Sequence, residues 1–275
     1  MPKLDLSSIQ RIKNSTGNIS AVNFGGAIWR QSTPLVFLGT QAVVAPTAAA
    51  NNTPVTVATS SVLLSNGHLG DNVPLQNGDL VLLVHGLSSS ATRTTRSAVW
   101  PTGHLVPNTY ANDTYDTYLN VWYGILNNET TIGITRLGVS GDGEGFLIVA
   151  YRGIDPGQPF DVIPALSNTR VNSGSALAIN VTPEISGSEV LSVASTATTV
   201  SNGDTNILAY TGWGTYGLVS NMDGSTRRAI VCADSKTWNT GDGAIGRPWD
   251  NDSTSYNSTK SNAGAAIIIR KKTAP

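Results

Sequence analysis

Turn signals recur along the whole chain and separate short runs that are apolar or alternate between apolar and polar residues. Gly, Asn, Asp and Pro, the residues that reverse a chain in tight turns, cluster in the segments STGN (15–18), SNGHLGDN (65–72), QNGD (76–79), GVSGDGEG (138–145), DPGQP (155–159), SNGD (201–204), NMDGS (221–225) and TGDG (240–243). No run between them reads as an amphipathic helix of three turns. Many short strands joined by close turns indicate an all-β sandwich or barrel.

The composition agrees with this interpretation and limits the possible partners. Charged residues make up 13% of the 275-residue chain, about half of the usual share. Glutamate and lysine, both good helix formers, are scarce, while Ser, Thr, Asn and Gly are abundant. The formal net charge is −1, and Arg93, Arg96, Arg227 and Arg228 are scattered and lack nearby aromatic residues that could stack on bases. We therefore expect no nucleic-acid partner.

We predict an all-β fold in three parts. A small N-terminal hairpin-like unit (residues 1–30) precedes an extended connection with extra strands (31–60). A large antiparallel, jelly-roll-like β-sandwich (61–275) follows. Within it, the runs LVLLV (80–84), GFLIVAYR (145–152) and AAIIIR (265–270) are apolar at consecutive positions. Such runs predict central strands that are covered on both faces.

The strand YLNVWYGI (118–125) alternates and should point its side chains to two opposite faces. Tyr118, Asn120 and Trp122 are predicted on one face, and Leu119, Val121 and Tyr123 on the other. Residues 130–137 follow the turn LNNET (126–130) and are predicted to be the second arm of a hairpin with this strand.

The N-terminal unit has too little apolar sequence to form a core of its own. Two short apolar groups flank the turn STGN. We expect this unit to pack against another surface, either in the same chain, in a neighbouring copy or in another protein. The residues predicted to carry this attachment are Ile9, Ile12, Ile19, Val22, Phe24, Ile28 and Trp29.

The stretch GDLVLLVHGLSSS (78–90) raises the possibility of a serine hydrolase. A His-Gly pair after a buried strand precedes the oxyanion loop in many such enzymes, but these also need a G-x-S-x-G elbow before a helix. The nearest candidate, LGVSGDGEG (137–145), places its second glycine one residue too early and leads into a strand. We therefore interpret His85 as a residue that ends a central strand, and we assign no catalytic residue.

No cofactor or metal site is predicted from the spacing of the possible ligands. His68, His85 and His104 are far apart in sequence, unlike the ligands of a zinc site. The single cysteine, Cys232, alternates with apolar residues in AIVCAD and is predicted to lie in the core. The Asp-rich loops are also compatible with a structural calcium ion, although Asp-Gly is equally the sequence that a β-turn requires.

Tryptophans in loop-like sequence are the best candidates for ligand contact. Aromatic rings beside Asp or Asn bind sugars by stacking on the apolar face while the polar groups bind the hydroxyls. The alternative is that these rings cover the ends of the core or fill a subunit interface. The candidate residues for glycan contact are Trp213, Trp238, Asp242, Trp249 and Asp250.

Three segments resemble virion proteins of tailed bacteriophages. IQRIKNSTGNISAVNFGGAIW (9–29) resembles the short N-terminal unit of many tail, baseplate and tail fibre proteins. DTYLNVWYGILNNETTIGITRLGVSGDGEGFLIVAYRGIDPGQPFDV (116–162) is similar to a β-sandwich module of phage virion proteins, and NAGAAIIIRKK (262–272) to its last strand. The resemblance covers about half of the chain. It implies an oligomeric structural protein, in some cases a receptor binder, and it carries over no catalytic residue.

The first hypothesis is thus a tail or baseplate protein of a bacteriophage that contacts other virion proteins, other copies of itself and a host surface polysaccharide. Capsid decoration is an alternative. A third is a glycan-degrading enzyme, whose turnover would depend on His85, Ser140, Asp142 or Glu144. Nothing in MPKLDLSSIQRIK resembles a signal peptide and no run could span a membrane. We therefore expect assembly in the host cytoplasm, without membrane insertion, and a final location in the virion.

Overall fold

The computed structural model describes most of the strand-forming sequence. The residues described are 10–13, 19–24, 27–30, 34–43, 54–88, 99–100, 103–106, 111–112, 117–135, 143–162, 164–170, 181–199, 209–210, 217–223, 227–243, 249–250 and 261–272. Some strands are described by their backbone alone.

Within these residues the chain forms twenty strands and one short 3-10 turn, Thr59–Ser61. The strands of the first half are β1 (Gln10–Lys13), β2 (Ile19–Phe24), β3 (Ala27–Arg30), β4 (Val36–Val43), β5 (Pro54–Ala58), β6 (Leu63–Asn66), β7 (Val73–Pro74), β8 (Leu80–Ser88), β9 (His104–Leu105), β10 (Ala111–Asn112), β11 (Thr117–Ile125) and β12 (Thr131–Thr135). Those of the second half are β13 (Gly143–Arg152), β14 (Ala165–Arg170), β15 (Glu189–Thr199), β16 (Ala209–Tyr210), β17 (Gly217–Asp223), β18 (Arg227–Thr237), β19 (Trp249–Asp250) and β20 (Ser261–Ile269).

Two large antiparallel sheets make up the main body. The first sheet has eight strands in the order β10-β11-β8-β13-β4-β6-β7, with β9 paired to β11. The second sheet has five strands in the order β14-β20-β15-β18-β17. The chain completes the first sheet before it enters the second. Because every one of these strands pairs antiparallel with its neighbours, the predicted all-β antiparallel fold is confirmed.

The two sheets pack face to face around an inter-sheet core. Leu82 and Leu147 of the first sheet and Leu191 and Ile267 of the second are fully buried in it. The sheets approach each other closely at Gly86, where an added Cβ would lie 2.3 Å from the hydroxyl oxygen of Ser195. Alternate residues of β8, β13 and β20 belong to this core, and the residues between them are also buried. The prediction of three strands covered on both faces is confirmed.

The outer face of the first sheet carries a second core beneath the pair β5–β12. Ile132 and Ile134 of β12 are buried here together with Val81 and Leu83 of β8. The predicted hairpin between residues 118–125 and 130–137 is wrong, because β12 pairs with β5. Strand β11 already has β8 on one side and β9 and β10 on the other, so it has no free edge for β12.

Part of the segment 31–60, which was predicted as an extended connection with extra strands, contributes to the sandwich. Strand β4 pairs with β13 inside the first sheet, with Gly39 opposite Ala150. The three N-terminal strands form a separate sheet in the order β1-β2-β3. In the described part of the chain, none of these three strands pairs with a strand of another sheet. No helix among the described residues is long and apolar enough to cross a membrane.

Candidate functional site

A buried imidazole–carboxylate pair lies on the outer face of the first sheet. The Nε2 atom of His85 on β8 is 3.6 Å from the Oε1 atom of Glu144 on β13. Both side chains are 0% exposed. His85 and Glu144 are two of the four positions that the enzyme hypothesis requires, and the structure brings them together. The other two, Ser140 and Asp142, lie outside the described residues.

Register places two further side chains next to this pair. Asn120 on β11 and Phe146 on β13 lie directly opposite His85. The ring of Phe146 stacks on the imidazole with a centroid distance of 4.6 Å and an interplanar angle of 23°. Asn120 is 3% exposed, and its side-chain oxygen has no hydrogen-bond partner in the described part of the structure.

Strand alternation explains why these polar groups are buried. Val81, Leu83, His85 and Leu87 follow each other at every second position of β8. They therefore share the outer face, which is buried along the whole strand. His85 thus occupies a core position in an otherwise apolar row. The prediction that it ends the strand is wrong, because β8 continues to Ser88. The proximity of Asn120 to His85 was not predicted from the sequence. The position of Asn120 as a polar residue within the mostly apolar run YLNVWYGI could have indicated a special role.

The chemistry open to this pair follows from its burial. A carboxylate beside a histidine can orient the imidazole and stabilise its protonated form. A histidine held in this way transfers protons in many catalytic sites. A substrate would have to contact the imidazole or the carboxylate, and neither group is accessible in this structure. The arrangement instead links β8 to β13 through paired polar groups, since leaving either group buried alone would be costly.

A second buried polar network crosses the inter-sheet core. The hydroxyl of Tyr151 on β13 donates to Ser235 at 2.9 Å, and Ser235 on β18 donates to Glu189 at 2.8 Å. Thr237 donates to the other carboxylate oxygen of Glu189. Burial raises the pKa of Tyr151 well above its usual value, and the nearby carboxylates of Glu189 and Asp234 add to this rise. The network joins the two sheets by hydrogen bonds within an apolar layer.

An ion pair closes one end of the first sheet. Arg152 at the end of β13 donates to both carboxylate oxygens of Asp79, at 2.8 and 2.9 Å. This hydrogen bonding raises the pKa of Arg152. Asp79 precedes β8 and is 1% exposed, so the pair anchors the start of the central strand.

The predicted glycan-contact residues lie in different surroundings. Trp238 is 5% exposed and packs with Val190 and Ile268 on the outer face of the second sheet. Its indole N–H donates to the carbonyl oxygen of Gly243 at 2.9 Å. This is the arrangement of a ring that covers a core. Asp242 is exposed, and its carboxylate accepts a hydrogen bond from the backbone N–H of Asn239.

The remaining glycan-contact candidates are described less fully. Trp249 and Asp250 form β19, which pairs with Ala209 and Tyr210 of β16. The structure describes only the backbone of these two residues, and Trp213 lies outside the described residues. The structure therefore does not place the five candidates on one surface.

Six of the seven predicted attachment residues fall in the three-stranded sheet. Val22 lies opposite both Arg11 and Trp29, and Asn23 lies opposite Ile28. The other attachment residues in this sheet are Ile12 of β1 and Ile19 and Phe24 of β2. The structure describes the backbone of these residues, while Ile9 lies outside the described part.

Metal ligands do not gather in the described part of the chain. No group of three or more His, Cys, Asp or Glu side chains there could hold a metal ion. Cys232 is buried and its thiol lies 3.6 Å from the carbonyl oxygen of Ala194. Burial raises the pKa of this thiol, as expected for a core cysteine.

Comparisons with known proteins identify no relative. No protein-family model, no curated protein and no solved structure matches the chain. Any function must therefore be argued from the residues themselves.

Proposed function

We propose that this chain is a structural protein of a bacteriophage virion, located in the tail or baseplate. Residues 1–30 attach it to another virion protein, and the sandwich faces outward. Its exposed surface binds a polysaccharide of the host. We assign it no catalytic activity.

The three-stranded sheet is the observation that supports this proposal most strongly. Directly opposed residues of a sheet share a face, and successive residues alternate between faces. The register therefore puts Val22 and Trp29 on one face and Ile28 on the other. A sheet of three short strands cannot bury apolar residues on both faces by itself. It needs another surface, and attachment to the virion supplies one.

The charge-poor surface also supports the proposal. A chain with 13% charged residues and many Ser, Thr and Asn side chains suits close packing between neighbouring proteins and hydrogen bonding to sugar hydroxyls. The glycan contacts are proposed at Trp213, Trp249, Asp242 and Asp250. Trp238 contributes by holding the turn that carries Asp242.

Removal of residues 1–30 tests the attachment. The shortened protein should keep the melting temperature of the full chain, because the strand pairs and the core of the sandwich lie beyond residue 33. Virions assembled with it should lack the protein on immunoblots. Two point variants of the full chain serve as a matched pair, Val22→Asp and Asn23→Ser. They distinguish the loss of an apolar contact from the general effect of a substitution in β2. Only Val22→Asp should reduce incorporation.

Two results would contradict the attachment role. Normal incorporation of the shortened protein would show that residues 1–30 are dispensable. Unfolding of the shortened protein would show that the three-stranded sheet belongs to the sandwich. Antibody labelling of intact particles in electron micrographs then places the protein at the tail, and labelling on the head would favour capsid decoration instead.

A further inference from the structure

Three aromatic side chains form a continuous row at one side of the sandwich. The rings of His104 and Tyr123 have centroids 5.7 Å apart at an interplanar angle of 48°. The ring of Phe160 meets Tyr123 edge-on, with centroids 4.8 Å apart at 79°. We call His104, Tyr123 and Phe160 the aromatic row.

The row joins residues that belong to, or pair with, both sheets. Tyr123 lies on β11 of the first sheet, directly opposite His104 of β9. Phe160 forms a β-bridge with Ile269 of β20 in the second sheet. Tyr123 and Phe160 are half-buried against the inter-sheet core, whereas His104 is exposed. The aromatic row therefore extends from the core to the solvent.

The exposed area of the row is too small for a protein partner. A stable protein–protein contact buries about 800 Å² on each side, and a whole aromatic side chain supplies only about 150–250 Å². The large apolar side chains that are more than a third exposed among the described residues are Leu63, Leu69 and Val99. None of them belongs to the row. A ligand of the size of one or two small rings fits better.

The groups around the rings suit a sugar. Sites for such ligands combine aromatic faces with a few hydrogen-bonding groups. Here the row itself contains the imidazole of the exposed His104 and the hydroxyl of the half-buried Tyr123, and the exposed Gln158 precedes Phe160 by two residues in the sequence. Since a sugar has an apolar C–H face and a polar rim of hydroxyls, it can use both kinds of group at once.

We propose that the aromatic row binds a sugar residue of a neutral polysaccharide. The C–H face of the sugar stacks on Tyr123, and its hydroxyls bind His104 and Gln158. This surface involves none of the tryptophans named above. The inference does not depend on the virion role, because it rests on the contacts of the three rings and on the polar groups of His104, Tyr123 and Gln158.

Affinity gel electrophoresis of the full-length protein tests this binding. The gels contain dextran, mannan, galactan, arabinogalactan or a soluble β-glucan, and retardation measures binding. At least one polysaccharide should retard the wild-type protein. Tyr123→Leu and Phe160→Leu, which keep an apolar side chain but remove the ring, should weaken binding about tenfold or more. His104→Ala, at an exposed position, should weaken it without affecting the fold.

Ile125→Val is the matched control, because Ile125 packs at the same edge of the core but carries no ring. It should bind like the wild type. The proposal is overturned if none of the five polysaccharides retards the folded protein, or if Ile125→Val loses as much binding as Tyr123→Leu. Binding that survives every change in the row but is lost in Trp249→Ala would also overturn it, and would assign sugar binding to the surface proposed above. The virion incorporation assay is unaffected by any of these results.

Discussion

Single polar residues inside apolar strands form hydrogen bonds within the inter-sheet core. Tyr151 is fully buried, and its hydroxyl begins the hydrogen-bonded chain through Ser235 to Glu189. A buried hydroxyl with a partner contributes about 0.5–1.5 kcal/mol, whereas one without a partner is costly. The burial that makes this hydrogen bond necessary also holds the proton on Tyr151.

Stability should therefore decrease at alkaline pH, and Tyr151→Phe should reduce this dependence. The pKa of Tyr151 in the folded protein lies above its usual value of 10.0. The resulting stabilisation is complete below about pH 10 and is lost as the pH rises through the raised pKa. A single such group gives a slope of up to about 1.4 kcal/mol per pH unit. Urea unfolding of the wild type and of Tyr151→Phe at pH 8, 10 and 11 measures it.

Phe37→Leu is the control for this experiment. Its ring contacts Tyr151, with centroids 5.3 Å apart, but it has no ionisable group. This variant should lower stability equally at all three pH values. A residual alkaline slope in Tyr151→Phe is expected from Cys232, whose pKa is raised in the same direction. Identical slopes in the wild type and Tyr151→Phe would contradict the prediction.

Among the elements, β8 combines pairing on both sides with contributions to two cores. It pairs along its whole length with β11 on one side and β13 on the other, and it contributes to both the inter-sheet core and the outer core. His85 on this strand pairs with Glu144 on β13. A polar pair between two neighbouring strands can also favour one register over its alternatives, because a shift of one residue would expose or separate the pair.

The His85–Glu144 pair should show energetic coupling in a double-mutant cycle. His85→Ala and Glu144→Ala each remove one member of this buried pair. Each change should cost roughly 3 kcal/mol or more. The double variant should be less destabilised than the sum of the two, by roughly 0.5–3 kcal/mol. Free energies of unfolding from urea titration at pH 7 give all four corners of the cycle.

Leu83→Ala provides the comparison on the same face of β8, because it removes apolar contacts without separating a polar pair. Its effect should add to that of Glu144→Ala. Purely additive effects of His85→Ala and Glu144→Ala would mean that the two side chains do not interact. If either variant kept its stability but abolished turnover of a host polysaccharide, the enzyme hypothesis would replace the structural one.

At the scale of the whole molecule, the two sheets depend on each other. Leu191, Val193, Val231 and Ile267 of the second sheet are 0% exposed only because the first sheet covers them. The chain forms the first sheet from residues 36–152 and the second from residues 165–269. The first sheet has an outer core of its own beneath β5–β12, but the inner faces of the two sheets share a single core.

Residues 153–275 should therefore not fold alone. Uncovering one full face of the second sheet removes most of the apolar burial that offsets its conformational entropy. We expect this fragment to lack a cooperative thermal transition and to be degraded rapidly by protease, while the full chain unfolds in a single transition. Circular dichroism melting and limited proteolysis measure both. A cooperative transition of the isolated fragment would show that the second sheet is an independent domain.

Local sequence determined the elements and their faces. Turn residues predicted short strands, alternation predicted the two faces of residues 118–125, and consecutive apolar residues predicted the three strands covered on both sides. These properties depend on neighbours in the chain. They also predicted the core position of Cys232, which the structure confirms. The glycan-contact and attachment roles, in contrast, remain proposals.

Only the tertiary structure decided which strands meet. Strand β12 pairs with β5 because β11 has no free edge. Glu144 lies beside His85 because β13 returns next to β8 from 59 residues further along the chain. Alternation assigns a residue to a face but not to a partner, since the choice of partner depends on free edges and shared cores between distant segments. The pairing of polar residues and the aromatic row both depend on that choice.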